Sequence, residues 1–197
     1  MSFTLEPSGK ALLLGPSGSG KSSLLNVICG LKGPDAGTVK LGEETIADGA
    51  GAADADAVRR HSIGIIFQTL RLVSALSVRS NLALAQKLQR GAKDSDLIEK
   101  TLEQLGLMDR ANARPFELSQ GEAQRAAIAR ALVVKPALLI ADEPTSALDA
   151  ANTDKVARLL IDAADRAGAS LLIATHDDRL KPYFDRSIAL ENGRLAA

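Results

Sequence analysis

Short apolar runs alternate with amphipathic segments along most of this chain. The apolar runs predict buried strands over residues 2–14, 63–67, 137–141, 170–175 and 186–190, with a shorter strand pair at 38–46. Helical spacing of apolar residues predicts helices over residues 21–30, 78–90, 94–106, 120–134 and 152–167. Apolar strands that alternate with helices are typical of a mainly parallel sheet covered by helices on both faces. We therefore expect an α/β fold whose ligands bind beyond the C-terminal ends of the strands.

The helical pattern in the middle of the chain is long enough to form a compact unit. We expect a single domain, 1–197, with a sheet core over about 1–77 and 135–197 and a helical subdomain over about 78–134. The strand pair at 38–46 predicts a small N-terminal antiparallel β part. Ala47–Ala57 consists mostly of Ala, Gly and Asp, which bury little apolar surface, so we predict a mobile surface loop there.

Composition and charge narrow the possible partners. Lys and Arg together number 24, as do Asp and Glu, so no overall basic field would recruit nucleic acid. The single cysteine, Cys29, cannot form an internal disulfide, which suits a reducing cytoplasm, and we expect it in the core. No uninterrupted apolar segment approaches the roughly 20 residues that span a bilayer, and no secretion signal is evident. We expect a soluble, cytoplasmic, globular chain.

The segment between the first apolar strand and the first helix has the spacing of a phosphate-binding loop. It comprises Gly15, Pro16, Ser17, Gly18, Ser19, Gly20, Lys21, Ser22 and Ser23. Glycines let a strand turn sharply into a helix, and backbone N–H groups then surround phosphate oxygens. In this geometry Lys21 reaches the β and γ phosphates, Ser22 places its hydroxyl on Mg²⁺, and Ser23 donates to the α phosphate. A chance Gly/Ser loop is the alternative, and the strand-then-helix context weighs against it.

A pair of carboxylates ends the buried strand at 137–141. Alone, such a pair is more often a solvated turn than a catalytic site. After a phosphate loop, Asp142 can hold Mg²⁺ through water, and Glu143 can orient and deprotonate a water in line with the γ phosphate. Together these features predict a P-loop NTPase fold that hydrolyses a nucleoside triphosphate.

A second helix N-terminus carries Ser119, Gly121 and Glu122. The Ser119 and Glu122 spacing predicts a capping box, which is the purely structural interpretation. The same geometry also creates an anion site at the helix N-terminus, able to face a γ phosphate.

The order of these motifs resembles that of the ATP-binding cassette (ABC) ATPases over nearly the whole chain, from about residue 9 to 194. The matching features are the phosphate loop, Gln68, the signature Leu118-Ser119-Gln120-Gly121-Glu122, the strand ending in Asp142-Glu143, the segment Ser146-Ala147-Leu148-Asp149, and His176. The resemblance implies a RecA-like core and a head-to-tail homodimer in which each ATP lies between the phosphate loop of one copy and the signature of the other. It also implies that Gln68 contacts Mg²⁺ and the attacking water, that Asp149 couples the paired sites, and that His176 contacts the γ phosphate.

Two departures from the family pattern affect this site. The signature is usually Leu-Ser-Gly-Gly-Gln, and here Gln120 and Glu122 replace a glycine and a glutamine. We expect the site to survive because Ser119 and Gly121 remain, with closure modestly weakened by the charge of Glu122. Only 14 residues precede Gly15, and Phe3 lies where a strand residue of the family would pack. We therefore expect no adenine-stacking aromatic and poor discrimination between ATP and GTP.

The remaining aromatic and histidine residues are expected to be structural. We predict that Phe67, Phe116 and Phe184 belong to the core and that His61 is a surface or boundary residue.

The resemblance implies an ATPase that drives a separate transmembrane permease and lies on the inner face of the cell membrane through that permease. Residues 67–82 resemble the lipoprotein-release and macrolide-export group, and a permease helix is predicted to dock near Leu72, Val73 and Leu76. One alternative is an ABC ATPase that regulates a membrane partner without moving a solute. The other is a DNA-maintenance ABC ATPase, which usually carries a coiled coil or zinc insertion. Here about 95 residues without sustained heptads or cysteine pairs separate phosphate loop and signature.

Overall fold

The computed structural model describes residues 1–49, 55–146 and 148–195. The strands of this part of the chain are β1 (Lys10–Leu14), β2 (Thr38–Leu41), β3 (Glu44–Asp48), β4 (Ile63–Ile66), β5 (Leu138–Asp142), β6 (Ser170–Thr175), β7 (Arg186–Glu191) and β8 (Arg194–Leu195). A six-stranded sheet has the order β4-β5-β6-β1-β7-β8, while β2 and β3 form a separate antiparallel pair. All neighbours in the large sheet are parallel except β7 and β8. The predicted mainly parallel sheet with a small antiparallel part is confirmed.

The helices lie on both faces of this sheet. They are α1 (Lys21–Ile28), α2 (Ala55–Ser62), α3 (Val78–Arg90), α4 (Ser95–Gln104), α5 (Gln120–Leu132) and α6 (Ala150–Ala167). In β1, Leu12 and Leu14 join the core cluster that includes residues of α3 to α6, whereas Ala11 and Leu13 join the cluster that includes α1 and β3. Because successive strand residues point to opposite faces, only a strand buried on both faces is apolar throughout.

Strand register brings three loop segments to one edge of the sheet. Leu14 of β1 lies opposite Thr175 of β6, and Asp142 of β5 lies opposite Ala174. The phosphate loop, the acidic pair and His176 each follow or end one of these central strands. Their backbone positions are therefore fixed by the most buried part of the fold.

Several predicted elements differ from the structure. Residues 2–9 are not a strand, because Gly9 N donates to Glu6 O in a turn and Ser8 has a left-handed φ of 57°. The predicted loop Ala47–Ala57 is wrong at both ends, since β3 extends to Asp48 and α2 begins at Ala55; residues 50–54 lie outside the described part. The helix predicted from Asn152 begins at Ala150 because Asp149 caps it.

Side-chain burial corrects two further predictions and confirms others. Phe116 is not a core residue, because it lies in a short 3₁₀ turn on the surface and is 72% exposed. Leu72 packs against the main core, so it is not a free docking residue. Cys29 and Phe184 are buried as predicted, and burial raises the pKa of the Cys29 thiol to about 12. Phe3 is half-buried and packs against the cluster around α1.

Within the described ranges, no helix combines the length and apolar character that crossing a bilayer requires.

Candidate active site

The phosphate loop ends in a helix that has no side-chain cap. Gly20 precedes α1 with φ 101°, a left-handed value that disfavours any residue with a Cβ, and α1 has no acidic residue in its first turn. A Cβ on Gly15 would lie 2.3 Å from the Leu190 carbonyl oxygen and 2.6 Å from Ser19 Oγ, so a side chain there would collide with the backbone. The first-turn N–H groups of α1 are therefore left for a ligand, and the helix dipole favours an anion.

Lys21 lies within this loop and is only 5% exposed. Its Nζ donates to the carbonyl oxygens of Gly15 at 2.7 Å and Pro16 at 3.1 Å, and it lies 3.4 Å from Glu143 Oε1. A buried ammonium group needs such partners. The cation of the loop and the carboxylate after β5 consequently share one site.

Ser22 and Asp142 form the second contact between the loop and the strand ends. Ser22 Oγ donates to Asp142 Oδ2 at 3.1 Å. The other oxygen, Oδ1, is buried and has no hydrogen-bond partner among the described residues. Burial raises the pKa of Asp142, with the Ser22 hydrogen bond opposing that effect. An unpartnered buried carboxylate oxygen beside a hydroxyl fits a divalent cation, which would restore the charged form of Asp142.

Glu143 is hydrogen-bonded by two neighbouring side chains. Its Oε2 accepts from Thr175 Oγ1 at 3.1 Å, and His176 Nδ1 lies 3.0 Å from Oε1 and 2.9 Å from Oε2. The His176 tautomer that carries its hydrogen on Nδ1 donates to this carboxylate. Glu143 also has φ 48°, while its N–H donates to Ala174 O at 2.8 Å. Left-handed backbone at a non-glycine residue costs roughly 1–3 kcal/mol and is concentrated at functional sites.

The other predicted residues lie at different distances from this centre. Gln68 follows β4 at the same sheet edge, and its Nε2 donates to Ser146 Oγ at 3.3 Å. Asp149 is exposed and caps α6 by accepting from Asn152 N at 2.8 Å. Pro16, Ser17, Gly18 and Ser23 are also exposed, whereas Ser19 is buried. The structure thus brings together Lys21, Ser22, Asp142, Glu143 and His176, with Gln68 and Ser146 at the edge.

The signature residues do not join this centre within the chain. Ser119 caps α5 in a capping box with Glu122, as predicted, and both Ser119 and Gly121 are exposed. Among the described residues, no hydrogen bond or ion pair connects either of them to the phosphate loop. Arg110 also contacts Glu122, with Nε 2.9 Å from Oε1.

Sequence reasoning missed a network behind His176. Buried Thr145 donates to Asp177 Oδ2 at 3.0 Å, and Asp177 accepts from Arg179 through both of its oxygens at 2.7 Å. Arg179 also donates to Leu148 O at 3.2 Å. The Asp177 N–H donates to Thr175 Oγ1 at 3.0 Å, so the network reaches the hydroxyl that holds Glu143. The available signal was an aspartate two residues after β6, but its partner Thr145 is distant in sequence.

A parallel sheet with a lysine-containing phosphate loop after one strand and an Asp-Glu pair after another defines the P-loop class of nucleoside triphosphatases. The comparisons with known proteins agree with this class. The family model described as "ABC transporter" matches residues 1–146. An uncharacterized ABC transporter ATP-binding protein of Mycobacterium tuberculosis is 41% identical over 199 residues, which covers 99% of this chain and 79% of the relative.

A lipoprotein-releasing system ATP-binding protein, LolD, of Nitrobacter hamburgensis is 41% identical over 186 residues, covering 93% of this chain and 79% of the relative. The dimeric structure of MJ0796, a bacterial ABC transporter cassette, superposes with a TM-score of 0.84 at 32% identity and covers 99% of this chain and 86% of that one. A post-hydrolysis dimer of MJ0796 bound to ADP and Pi matches equally well, with a TM-score of 0.84. The chain therefore belongs to the ABC transporter family and is an ABC ATPase.

Proposed function

We propose that Lys21, Asp142, Glu143 and His176 form the hydrolytic half of an ATP site that drives a membrane transporter. The observation that carries this proposal is the position of Glu143, which contacts Thr175 and His176 and lies 3.4 Å from Lys21. A carboxylate fixed by two hydrogen-bond donors is oriented to accept a proton from a water that attacks the γ phosphate. Lys21 would then leave its carbonyl partners for phosphate oxygens, which are stronger acceptors.

Ser22, Gln68 and Asp142 would hold Mg²⁺, which neutralises charge on the β and γ phosphate oxygens when it is bound. The unpartnered Oδ1 of Asp142 supports this assignment. Across the described ranges, no group of three or more His, Cys, Asp and Glu side chains is placed to hold a metal by itself. Mg²⁺ is commonly bound by one or two carboxylates together with substrate phosphates, which agrees with so small a protein contribution.

We further propose that two copies assemble head to tail, so that Ser119 and Gly121 of one copy complete the ATP site of the other. The separation of the signature from the phosphate loop within one chain supports this arrangement, as does the dimeric state of MJ0796. The backbone from Leu148 to Asp149 would transmit the state of the paired site, since Arg179 connects Leu148 to the residues around Glu143.

A separate permease is proposed to contact the segment between Gln68 and α3, and thereby to place this subunit on the inner face of the cell membrane. Buried Asn81 fixes this segment: its Oδ1 accepts from Val73 N at 2.8 Å, and its Nδ2 donates to the carbonyl oxygens of Val73, Leu76 and Ser77. Val73 is 42% exposed, unlike Leu72. A rigid segment with an exposed apolar side chain can transmit a displacement between the Gln68 site and a permease helix.

The helical subdomain, about 78–134, would move with this segment because α3 follows it directly and Asn81 of α3 is hydrogen-bonded to it. The LolD relatives are named for a lipoprotein-releasing system, and we propose a related export task for this protein. Solute movement in vesicles that contain the copurified permease distinguishes transport from a purely regulatory role.

The phosphate-binding role is tested by Lys21→Ala. Loss of a charge-assisted contact of about 1.5–3 kcal/mol should weaken ATP binding roughly tenfold to hundredfold. Lys32→Ala, which removes an exposed lysine just beyond α1, is the matched control and should bind ATP as the unmodified protein does. Equal affinity in the Lys21 and Lys32 variants would refute the proposed site.

The permease contact is tested by Val73→Glu. We expect unchanged soluble ATPase activity together with loss of permease copurification and of solute movement in vesicles. Leu88→Glu is the control, because Leu88 is an exposed apolar residue of α3, at 65% exposure. Normal copurification with Val73→Glu, or loss of it with Leu88→Glu as well, would exclude this contact.

A further inference from the structure

The signature of this chain carries a carboxylate, Glu122, and the structure shows what that carboxylate does. Ser119 donates both its backbone N–H and its hydroxyl to Glu122 Oε2, each at 2.8 Å. A hydroxyl has one hydrogen to donate, so the Ser119 hydrogen is already committed to this carboxylate. A phosphate that docks here must compete with Glu122 for it.

The other oxygen of Glu122 is held by a residue outside the signature. Arg110 Nε donates to Oε1 at 2.9 Å from the 3₁₀ turn Met108–Arg110. The Ser119 backbone N–H, followed by the Ser119 hydroxyl and Arg110, lowers the pKa of Glu122 to about 2. Glu122 is therefore ionised at neutral pH. Its negative charge lies at the helix end that otherwise attracts anions.

Without compensation, this charge would repel the γ phosphate of an approaching copy. We propose that Arg110 is a positioning residue of the composite ATP site, which binds Oε1 of Glu122 and cancels the charge of that carboxylate where the partner's γ phosphate docks. This inference rests on the proposed head-to-tail dimer. The Arg110 side chain is about half exposed, so its guanidinium can also face the incoming phosphate.

The geometry separates the two tasks of the Glu122 carboxylate. Oε1 accepts a hydrogen bond from Arg110, while Oε2 accepts hydrogen bonds from both donors of Ser119. The capping box therefore does not depend on Arg110, whereas the net charge presented to the phosphate does. Loss of Arg110 should consequently affect association more than folding.

The test measures ATP-driven dimerisation by analytical ultracentrifugation in a Glu143→Gln background, in which ATP is bound but not cleaved. Arg110→Gln should weaken dimerisation about tenfold at low salt and less at high salt, because charge repulsion at an interface is screened. Arg110→Lys should retain most of the dimer. Adding Glu122→Gln to Arg110→Gln should restore dimerisation, since the repelling charge is then absent. Lys87→Gln, which removes an exposed positive charge from α3, is the control for net charge.

Binding of a fluorescent ATP analogue by the monomer should be equal in all these variants, because the phosphate loop is untouched. A dimer unaffected by Arg110→Gln would overturn the inference alone. A double variant as weak as Arg110→Gln, with the same salt dependence, would also overturn it and show that the role of Arg110 is structural. Absence of any ATP-driven dimer in the background protein would overturn both the inference and the proposed dimer.

Discussion

Two helices of this protein begin at proposed phosphate sites, and their N-termini are built in opposite ways. α1 follows Gly20, has no side-chain cap and has no acidic residue in its first turn. α5 follows Ser119, which forms a complete capping box with Glu122. The N–H groups at the start of α1 have no side-chain partner among the described residues, whereas at α5 the N–H groups of Ser119 and Glu122 have one.

The difference indicates which half of the ATP site forms first. The α1 half presents helix N–H groups without a side-chain cap, a buried lysine and the strand-end carboxylates within one chain, so we propose that it binds nucleotide alone. In the α5 half, the capping box already supplies hydrogen-bond partners, so binding of a free phosphate would add little stability there. We infer that it contributes only when a second copy presents ATP already bound, which makes association depend on nucleotide.

The largest expected effect is a loss of ATP hydrolysis, which we assign to the α1 half. Glu143→Gln removes the proposed base from the α1 half while keeping its shape and hydrogen-bonding capacity, so ATP turnover should fall by roughly 10² to 10⁴ with ATP binding retained. Steady-state phosphate release and equilibrium ATP binding are the measurements. Glu44→Gln, an exposed glutamate of β3, is the control. Turnover within threefold of the control would assign the base to another residue.

A smaller effect compares the two helix caps directly. Ser119→Ala removes a side-chain cap and should lower the free energy of unfolding by about 1 kcal/mol. Gly20→Ala forces a Cβ into left-handed backbone and should cost about 1–2 kcal/mol. Urea unfolding measures both.

The sharper distinction between these two variants is functional. ATP binding by the monomer should be impaired by Gly20→Ala and unchanged in Ser119→Ala. Equal losses of ATP binding in both variants would mean that α5 contributes to the ATP site of its own chain, which contradicts the proposed division between the α1 and α5 halves.

The smallest expected effect concerns the charge of the α5 cap. The pKa of Glu122 is lowered from 4.5 to about 2 on folding, chiefly by the backbone N–H of Ser119. The ionised carboxylate therefore contributes stability above about pH 4.5, and this contribution is lost as the pH falls from there through about 2. Glu122→Gln should be less stable than the unmodified protein at neutral pH, with the difference shrinking over that acid range. A difference that stays constant with pH, measured by thermal unfolding, would contradict this linkage.

Local patterns predicted the geometry around the start of α1, because each of its parts follows from residues that are neighbours along the chain. Gly15 to Ser22 carry the loop spacing, and the apolar run before Asp142 predicts a buried strand that ends at the same edge. The strand register then places Lys21 beside Glu143. The capping box at Ser119 was also predicted from the sequence, since it depends only on the three-residue spacing between Ser119 and Glu122.

Contacts between distant residues could not be read in this way. Arg110 reaches Glu122 only because a 3₁₀ turn brings it there, and Asn81 organises a loop whose apolar residues look alike in sequence. Leu72 and Phe116 were placed wrongly because hydrophobicity does not state which side of a loop faces the core. Helix α2 was missed because its first residues belong to an Ala- and Gly-rich tract, while its amphipathic part is short.

We propose that ATP bound at the α1 half of one copy recruits the α5 half of another. Light scattering during size-exclusion chromatography of the Glu143→Gln protein tests it most directly. We predict a monomer without nucleotide, a dimer with Mg-ATP, and a monomer again when Lys21→Ala is added. A protein that remains monomeric at Mg-ATP concentrations that saturate its phosphate loop would contradict the account.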